Sequence, residues 1–472
     1  KDGKYLPSES ESKRGGFDPK KTGQTNDLPK FGEAPRLNKA PKRVVPPELN
    51  KKPKPSQDIF QPISYNSYPK DVFGGNVPDN LFAGPGGPGS PPNWPPPGIE
   101  AYWLPNTFGL ATTKEERSRL FQNILRNKSI KKIYMNALAA AGATFTNGVV
   151  ARTQLLKSQD ADVFAEFQDA LRVSGRADVE VVPWFEGTGM AMNPQKSSAV
   201  SQTGTTLFGV AKSHNAVLSK YLAGDPSVPY IDILNPTVFA TLKNLIIDFF
   251  DRNPTAKEII LDDHFGIPFD VQDEVIAKHR QQIEQDGYKD KPLSWIREKF
   301  TSQLLAIKQE LTKRGKILSV STHLFPPYTI VQDSPDGNVE KNWALRYGNQ
   351  DIKAWLEQGI LDEKSTLNVQ LYRGGTPAEL QALKKDYGKL QSDIRMLTGE
   401  LEYPNGQKYK TVAPTKLPSI SVSLAANKEK TSRESIRQQI DIIKGARING
   451  KPVKMAGFNF SQFLNAKVDQ GG

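Results

Sequence analysis

Two adjacent acidic residues that follow a strongly apolar segment are the clearest chemical feature of the sequence. Residues 259–261 have the composition of a buried β-strand, and Asp262 and Asp263 come directly after them. Two carboxyl groups at the end of a buried strand cost desolvation free energy unless they are paired or used in chemistry. If the chain stays extended, only one of the two can face a cleft, and crowding should raise one pKa, as a general acid requires. The alternative is that one acid caps the next helix or pairs with an arginine.

Polar and aromatic residues also occur where other predicted strands end. Sugars bind aromatic faces through their C–H surfaces and amide or carboxylate groups through their hydroxyls, and Asp or Glu pairs cleave glycosidic bonds. We therefore predict Asp262, Asp263 and Glu186 as catalytic residues, although Glu186 could simply form a loop salt bridge. A tryptophan at a strand end can also be core packing. The predicted substrate-binding residues are Trp103, Asn106, Asn136, Trp184, His264, His323, Gln370, Tyr372 and Asn459.

The placement of the acids narrows the mechanism. A retaining enzyme of the two-carboxylate kind needs a second acid about 5 Å from the first, and the seventh predicted strand ends without one. The pattern favours inversion through a water or assistance by an N-acetyl group of the substrate. We predict Asp262 or Asp263 as the general acid and the other, with Glu186, as the assisting carboxylate. Tyr372 and His323 would stabilise charge or bind hydroxyls.

We expect neither a metal nor a cofactor. The chain has four histidines and no cysteine, which excludes disulfides, thiolate zinc sites and thiol nucleophiles. Asp262, Asp263, His264 and His323 could in principle gather a metal ion, but two adjacent acids on a strand rarely chelate together.

Short apolar segments alternate with helical patterns from residue 98 onward. Most predicted strands are joined to the next by a helix, which predicts a parallel sheet, an α/β class and a (β/α)8 TIM barrel. A doubly wound open sheet is the competitor, but no Gly-rich dinucleotide loop follows any strand. The predicted strands are residues 99–104, 131–136, 179–184, 258–263, 317–322, 367–372, 419–424 and 453–458. The predicted helices include residues 114–126, 160–173, 237–251, 293–314, 377–397 and 433–446.

Two long insertions lie on the side where the predicted strands end. Residues 187–234, rich in Ser, Gly, Thr and Asn, separate the third strand from its helix. Residues 325–342 follow the fifth strand. Enzymes with a barrel fold bind substrates on this side, so both insertions are expected to border the site.

The N-terminal fifth of the chain has a different composition. Residues 1–97 contain 19 of the 36 prolines and no sustained period of 2 or 3.6. We predict two parts, an extended or disordered tail at residues 1–97 and the barrel at residues 98–472. Aromatic residues in the second half of the tail could attach it to the barrel or to a protein partner. The alternative is a solvated spacer.

Charge and hydropathy exclude two classes of protein. The net charge of +12 arises from 63 basic and 51 acidic residues, and the densest cluster, Lys51, Lys52 and Lys54, is interrupted by prolines. This pattern predicts no nucleic-acid partner. Because no run of about 18 apolar residues occurs, we also expect no transmembrane helix.

Several short motifs resemble one known family. They are Trp103-Leu-Pro, Val182-Pro-Trp-Phe-Glu186, Leu234-Asn-Pro236, Leu261-Asp-Asp-His-Phe-Gly266 and Val369-Gln-Leu-Tyr372. In this order they resemble the family-10 glycosyl-hydrolase-like barrels of bacteria, from about residue 98 to 464. The resemblance implies that Asp262 and Asp263 lie in an active cleft lined by Glu186, Trp184, Gln370 and Tyr372. Residues 137–142 depart from the family, since relatives carry a polar, aromatic substrate loop there.

The resemblance also implies a function and a location. It predicts a glycoside hydrolase that acts on a cell-wall or surface polysaccharide, with N-acetylhexosamine polymers as candidates. Together with a chain that begins at Lys1 rather than Met, it predicts an extracytoplasmic protein. The alternative is a non-catalytic, polysaccharide-binding structural protein of the cell envelope or an extracellular assembly, docked through residues 1–97.

Overall fold

The computed structural model describes most of the chain after residue 100. The predicted tail, residues 1–97, and the insertion at residues 325–342 lie outside the described residues. The described residues are 101–104, 113–126, 128, 130–139, 142–152, 162–185, 206–221, 229–268, 271–324, 344, 348–371, 376–402, 413–425, 433–443, 447–448, 451–452 and 454–459.

Strands and helices alternate along this part of the chain. The strands are β1 Ala101–Leu104, β2 Lys132–Ala139, β3 Gly142–Ala143, β4 Glu180–Phe185, β5 Val217–Tyr221, β6 Pro229–Ile231, β7 Glu258–Leu261, β8 Ile317–Thr322, β9 Thr366–Leu371, β10 Ser419–Ala425, β11 Arg447–Ile448, β12 Lys451–Pro452 and β13 Lys454–Asn459. The helices are α1 Lys114–Leu125, α2 Val163–Val173, α3 Leu207–Ser213, α4 Pro236–Arg252, α5 Gln272–Gln285, α6 Pro292–Lys313, α7 Ile352–Glu357, α8 Pro377–Leu397 and α9 Arg433–Ile443.

Local sequence explains where several helices begin. Asn235 caps α4, because its side chain accepts hydrogen bonds from the backbone N–H groups of Thr237 and Val238, and Pro236 occupies the first turn. Thr376 and Glu379 form a reciprocal capping box at the start of α8. Among the described residues, none of the helices has the length and apolar character needed to cross a membrane.

The central sheet is mostly parallel and its strands pair in a cyclic order. Going round, the order is β1, β2, β4, β7, β8, β9, β10 and β13, and β1 pairs with both β2 and β13. Each neighbouring pair in this order is parallel, whereas the short β3 runs antiparallel to β2. The prediction of an α/β fold with a parallel sheet is therefore confirmed.

Alternate residues of the parallel strands pack into two separate clusters. Residues such as Phe185, Leu261 and Leu371 join the large core that also contains the buried faces of the helices. Their strand neighbours face away from the helices, on what we call the inner face. There, Ala101, Trp103, Tyr134, Val182, Trp184 and Ile260 form a second apolar cluster. The period of 2 places each candidate site residue on one face or the other.

Some elements differ from the sequence-based expectation. The first long insertion contains helix α3 and the antiparallel pair β5–β6, rather than only loop. Helix α5 is also absent from the predicted set, because its sequence is largely polar. Strand β7 ends at Leu261, two residues before its predicted end. This last difference determines how the two acids are presented.

Candidate active site

The chain turns directly after β7, and this turn carries both acids. Asp262 still donates its backbone N–H to the Phe185 carbonyl of β4 at 3.0 Å, and its own carbonyl accepts from Phe265 N–H at 2.9 Å. The extended geometry therefore does not continue through Asp263. Both acids are buried, each with about 5% of its surface exposed. The turn brings the two side chains together, whereas a strand would separate them.

One amide holds both carboxyl groups. Gln370, on the inner face near the end of β9, donates from Nε2 to Asp263 Oδ1 at 2.8 Å and to Asp262 Oδ1 at 3.1 Å. The same nitrogen lies 3.1 Å from Ser321 Oγ of β8. Gln370 is predicted from the sequence as a sugar ligand, and in the structure its Nε2 donates to both acids.

Two histidines surround Asp263. His323 Nε2 lies 2.9 Å from Asp263 Oδ2, and His264 Nδ1 lies 3.8 Å from Asp263 Oδ1. Burial by itself would raise the pKa of Asp263. The charges of His264 and His323, with hydrogen bonds from His323 and Asp262, outweigh burial and hold that pKa well below its ordinary range. Asp263 is therefore ionised at neutral pH.

A hydrogen-bonded network of small polar side chains lies behind Gln370. Asn368 of β9 donates from Nδ2 to Ser321 Oγ at 2.9 Å. Asn368 Oδ1 accepts from the hydroxyls of Ser421 and Ser423 of β10, each at 3.0 Å. All of these residues are buried. We call Ser321, Asn368, Gln370, Ser421 and Ser423 the inner polar network.

The sequence analysis missed this network, although the signal is present. Small polar residues recur at every second position of three consecutive sheet strands, β8, β9 and β10. Because alternate residues share a face, this period of 2 indicates a polar inner face rather than turns. The repeating residues are Ser319 and Ser321, Asn368 and Gln370, and Ser421 and Ser423.

The predicted sugar-binding tryptophans lie in the apolar cluster of the inner face. Trp103 stacks on Tyr134 with ring centroids 4.4 Å apart, and Trp184 meets Trp103 edge-on at 5.8 Å. Trp103 and Trp184 are only 5% and 2% exposed. Among the described residues, Trp103 Nε1 and Asn136 Oδ1 are buried without a hydrogen-bond partner. A donor and an acceptor therefore remain for a polar ligand or water.

The remaining predicted site residues are only partly covered. Glu186, Asn106 and Tyr372 lie outside the described residues. Asn459 is the last residue of β13 and is in register with Trp103 of β1. The structure thus brings together Asp262, Asp263, His264, His323 and Gln370, and it places Trp103, Asn136 and Trp184 on the adjoining strands.

One combination of ligand-type atoms has the spacing of a metal site. Asp262, Asp263 and His264 each contribute an atom within 4.8 Å of the others, the one such group found in the part of the chain that the structure describes. Gln370 Nε2 donates to one oxygen of each of the two acids in this group.

Comparisons with solved structures yield only remote similarity. A family 20 β-N-acetylhexosaminidase from Streptomyces coelicolor A3(2) is 10% identical with a TM-score of 0.36, over 74% of this chain and 56% of that chain. A maltogenic α-amylase from Thermotoga neapolitana is 10% identical with a TM-score of 0.38, over 79% and 72%. The chain spans little more than half of the first protein's length.

The match to a family is more informative. No curated protein matches the sequence. The sequence model of the family described as glycosyl hydrolase-like 10 matches residues 98–413. This range is more than half of the chain, and it includes the acid turn and the inner polar network up to β9. The chain belongs to the glycosyl hydrolase-like 10 family.

Proposed function

We propose that the chain is a glycoside hydrolase whose chemistry is carried by Asp262 and Asp263. The supporting observation is a pair of buried carboxyl groups that share the Gln370 amide, with His323 Nε2 2.9 Å from Asp263 Oδ2. The cyclic order of parallel strands supports a (β/α)8 barrel. In enzymes of this fold the substrate binds where the strands end, which is where the acid turn lies.

The two acids take different roles. The charges of the neighbouring histidines hold the pKa of Asp263 low, so we assign the carboxylate role to Asp263 and the proton-donor role to Asp262. Asp262 is then the general acid, which protonates the leaving glycosidic oxygen. The carboxylate of Asp263, with Glu186 as its assistant, stabilises positive charge on the sugar side.

The closeness of the acids favours assistance by the substrate. Inverting enzymes separate their carboxyl groups by about 6.5–9.5 Å, and retaining pairs flank the sugar about 5 Å apart. Two carboxyl groups bonded to the same Gln370 nitrogen cannot flank a sugar ring. An N-acetyl group avoids this problem, because its carbonyl oxygen bonds to the anomeric carbon as the glycosidic bond breaks. The amide N–H donates to Asp263, and water later opens the cyclic intermediate, returning a proton to Asp262.

The adjoining strands supply the proposed sugar contacts. Trp103 Nε1 and Asn136 Oδ1, which have no hydrogen-bond partner among the described residues, offer one donor and one acceptor on the inner face. Trp184 contacts Trp103, and His264 lies beside Asp263. From the sequence we add Asn106, Tyr372 and Asn459 as proposed contacts. The substrate would be an N-acetylhexosamine-containing polysaccharide of a cell wall or surface.

The family resemblance also supports an extracytoplasmic location. A protein partner for residues 1–97 is a second proposal that rests on their composition alone. Deleting these residues should leave turnover unchanged in a free enzyme, whereas a docked assembly component should lose its location or its partner.

An incubation of the full chain with glycans tests the proposal. The panel contains N-acetylhexosamine polymers, peptidoglycan and neutral glycans, and new reducing ends are measured by mass. The comparison variant is Asp262→Asn/Asp263→Asn, and the matched control is Asp393→Asn, a buried acid on α8 that is not one of the candidate site residues. We expect new ends from the wild type and the control only. Silence across the panel with retained binding to one polymer would support the non-catalytic alternative.

A further inference from the structure

A second segment of the chain lies directly against the acid turn. The carbonyl of Gly348 accepts from the backbone N–H of Ile267 at 3.0 Å, and Asn349 Nδ2 donates to the Ile267 carbonyl at 2.5 Å. Gln350 Nε2 donates to the Asp262 carbonyl at 3.1 Å. Residues 348–350, which we call the brace, therefore bind the backbone of the turn at both of its ends.

Two glycines make this contact unusually close. A Cβ on Gly266 would lie 2.0 Å from the Gly348 carbonyl oxygen, and a Cβ on Gly348 would lie 2.9 Å from the Asp263 carbonyl oxygen. The neighbours are backbone atoms, which cannot move aside as a flexible side chain can. The two backbones pack at a distance that any other residue type would prevent.

Gln350 connects the two strand ends that present the ion pair. Its Oε1 accepts from Thr322 Oγ1 at 2.7 Å, and its Nε2 donates to the carbonyl of Asp262. Thr322 precedes His323, and Asp262 precedes Asp263, so one amide links the neighbours of both partners. Gln350 is 1% exposed, and these bonds reach a hydroxyl and a backbone carbonyl rather than either carboxyl group.

We propose that Gln350 is a positioning residue that sets the separation of Asp263 and His323. The inference rests on the proposed function, because it concerns how the acid pair is held for catalysis. The 2.9 Å contact of His323 with Asp263 is a charge-assisted bond, which weakens when its partners move apart. Since reacting groups tolerate little displacement, a change of this spacing lowers the catalytic rate without removing a sugar contact.

The kinetic test compares two buried glutamines. Gln350→Met removes both amide bonds at similar volume, and Gln303→Met is the matched control, because Gln303 is buried on α6 and donates to the Ile233 carbonyl at 3.2 Å. We expect both to lower Tm by a few degrees. Only Gln350→Met should lower kcat, by about tenfold or more, while KM stays within about twofold. An equal kcat for the two variants would overturn the proposal.

A second test needs no activity, so it separates this proposal from the proposed function. In a double-mutant cycle, Gln350→Met and His323→Gln should lower Tm by clearly less together than the sum of their separate effects. Gln303→Met and His323→Gln should add. Additivity in both cycles would refute positioning, whether or not the wild type cleaves a glycan. If Gln350→Met does not fold, Thr322→Val removes one end of the same link and replaces it in the cycle.

Discussion

The inner face of the sheet is divided into two halves that bury different kinds of side chain. On β1, β2, β4 and β7 most of the buried side chains are apolar, and Trp103 contacts both Tyr134 and Trp184. Asn136 and Glu258 are the buried polar exceptions in this half. On β8, β9 and β10 the buried side chains of this face are serines and amides joined in the inner polar network. Both halves belong to one sheet with the same alternation, so the difference comes from side-chain type alone.

The two halves contribute differently to stability. Burial of three aromatic side chains removes a large apolar area from water and stabilises the fold. A buried polar network replaces bonds to water by internal bonds and gives little net free energy, while any unpaired member is costly. The polar half is therefore best explained by its contact with the acids, since Gln370 donates hydrogen bonds to both carboxyl groups.

Single substitutions of the acids should have the largest effect and test the polar half. We expect Asp262→Asn and Asp263→Asn each to lower kcat by about a thousandfold, because one removes the proton donor and the other the carboxylate. The measurement is the initial rate of reducing-end release, with circular dichroism to verify folding. Wild-type kcat in either folded variant would remove that acid from the mechanism.

Truncation in the aromatic half should reduce stability most. Trp184→Ala should lower the free energy of unfolding by about 3–5 kcal/mol, since it leaves a cavity beside Trp103. Urea unfolding followed by far-UV circular dichroism measures this loss. Trp184→Phe is the matched variant and should retain most of the stability. If Trp184→Ala cost under about 1 kcal/mol, the tryptophan would not be a packing residue, and its sugar-binding role would gain support.

An apolar residue placed in the polar half can break the comparison. Asn368→Leu replaces a polar side chain by an apolar one of similar size. The gain in buried apolar surface area, taken alone, predicts higher stability. The substitution also leaves Ser421 and Ser423 without their acceptor and removes one of the two donors to Ser321. We expect a loss of about 2–3 kcal/mol in the free energy of unfolding by urea titration. A gain would show that the network is dispensable for folding.

The fold was largely predictable because the parallel strands are buried and regular. All eight predicted strands overlap strands of the central sheet, since β-branched and apolar residues alternate there with recognisable spacing. Helix α3 and the β5–β6 pair were not predicted, because a stretch rich in Ser, Gly and Thr is typical of a loop. Their apolar residues, such as Leu207 and Ile231, are too few to show a period.

The candidate site was predictable in its acids but not in its supports. Asp262 and Asp263 stand out because they directly follow a strongly apolar strand. Gln370 is predicted as a sugar ligand, and no sequence pattern reveals that its amide also meets the two carboxyl groups of the turn after β7. The brace could not be predicted either, because Gln350 is far from Asp262 along the chain and only the fold brings the two residues together.

A buried acid outside the inner face shows, through the pH dependence of stability, how hydrogen-bonding and charged partners determine the pKa of a buried carboxyl group. Asp393 of α8 is buried, and Oδ2 has no hydrogen-bond partner among the described residues. Burial raises its pKa to about 8, against the lowering effect of the Lys389 charge. Asp263 is equally buried, but its histidines lower its pKa. Between about pH 5 and 8, folded Asp393 keeps a proton that the unfolded chain has lost, so stability must fall as pH rises.

The expected slope is about 1.4 kcal/mol of unfolding free energy per pH unit, and Asp393→Asn should remove it. Because other groups also titrate, the quantity to measure is the difference between wild type and variant in urea unfolding at pH 5, 6, 7 and 8. The advantage of Asp393→Asn should grow with pH across this window. Parallel curves would mean that Asp393 is ionised in the folded chain. In that case burial without partners would not be what distinguishes Asp393 from Asp263.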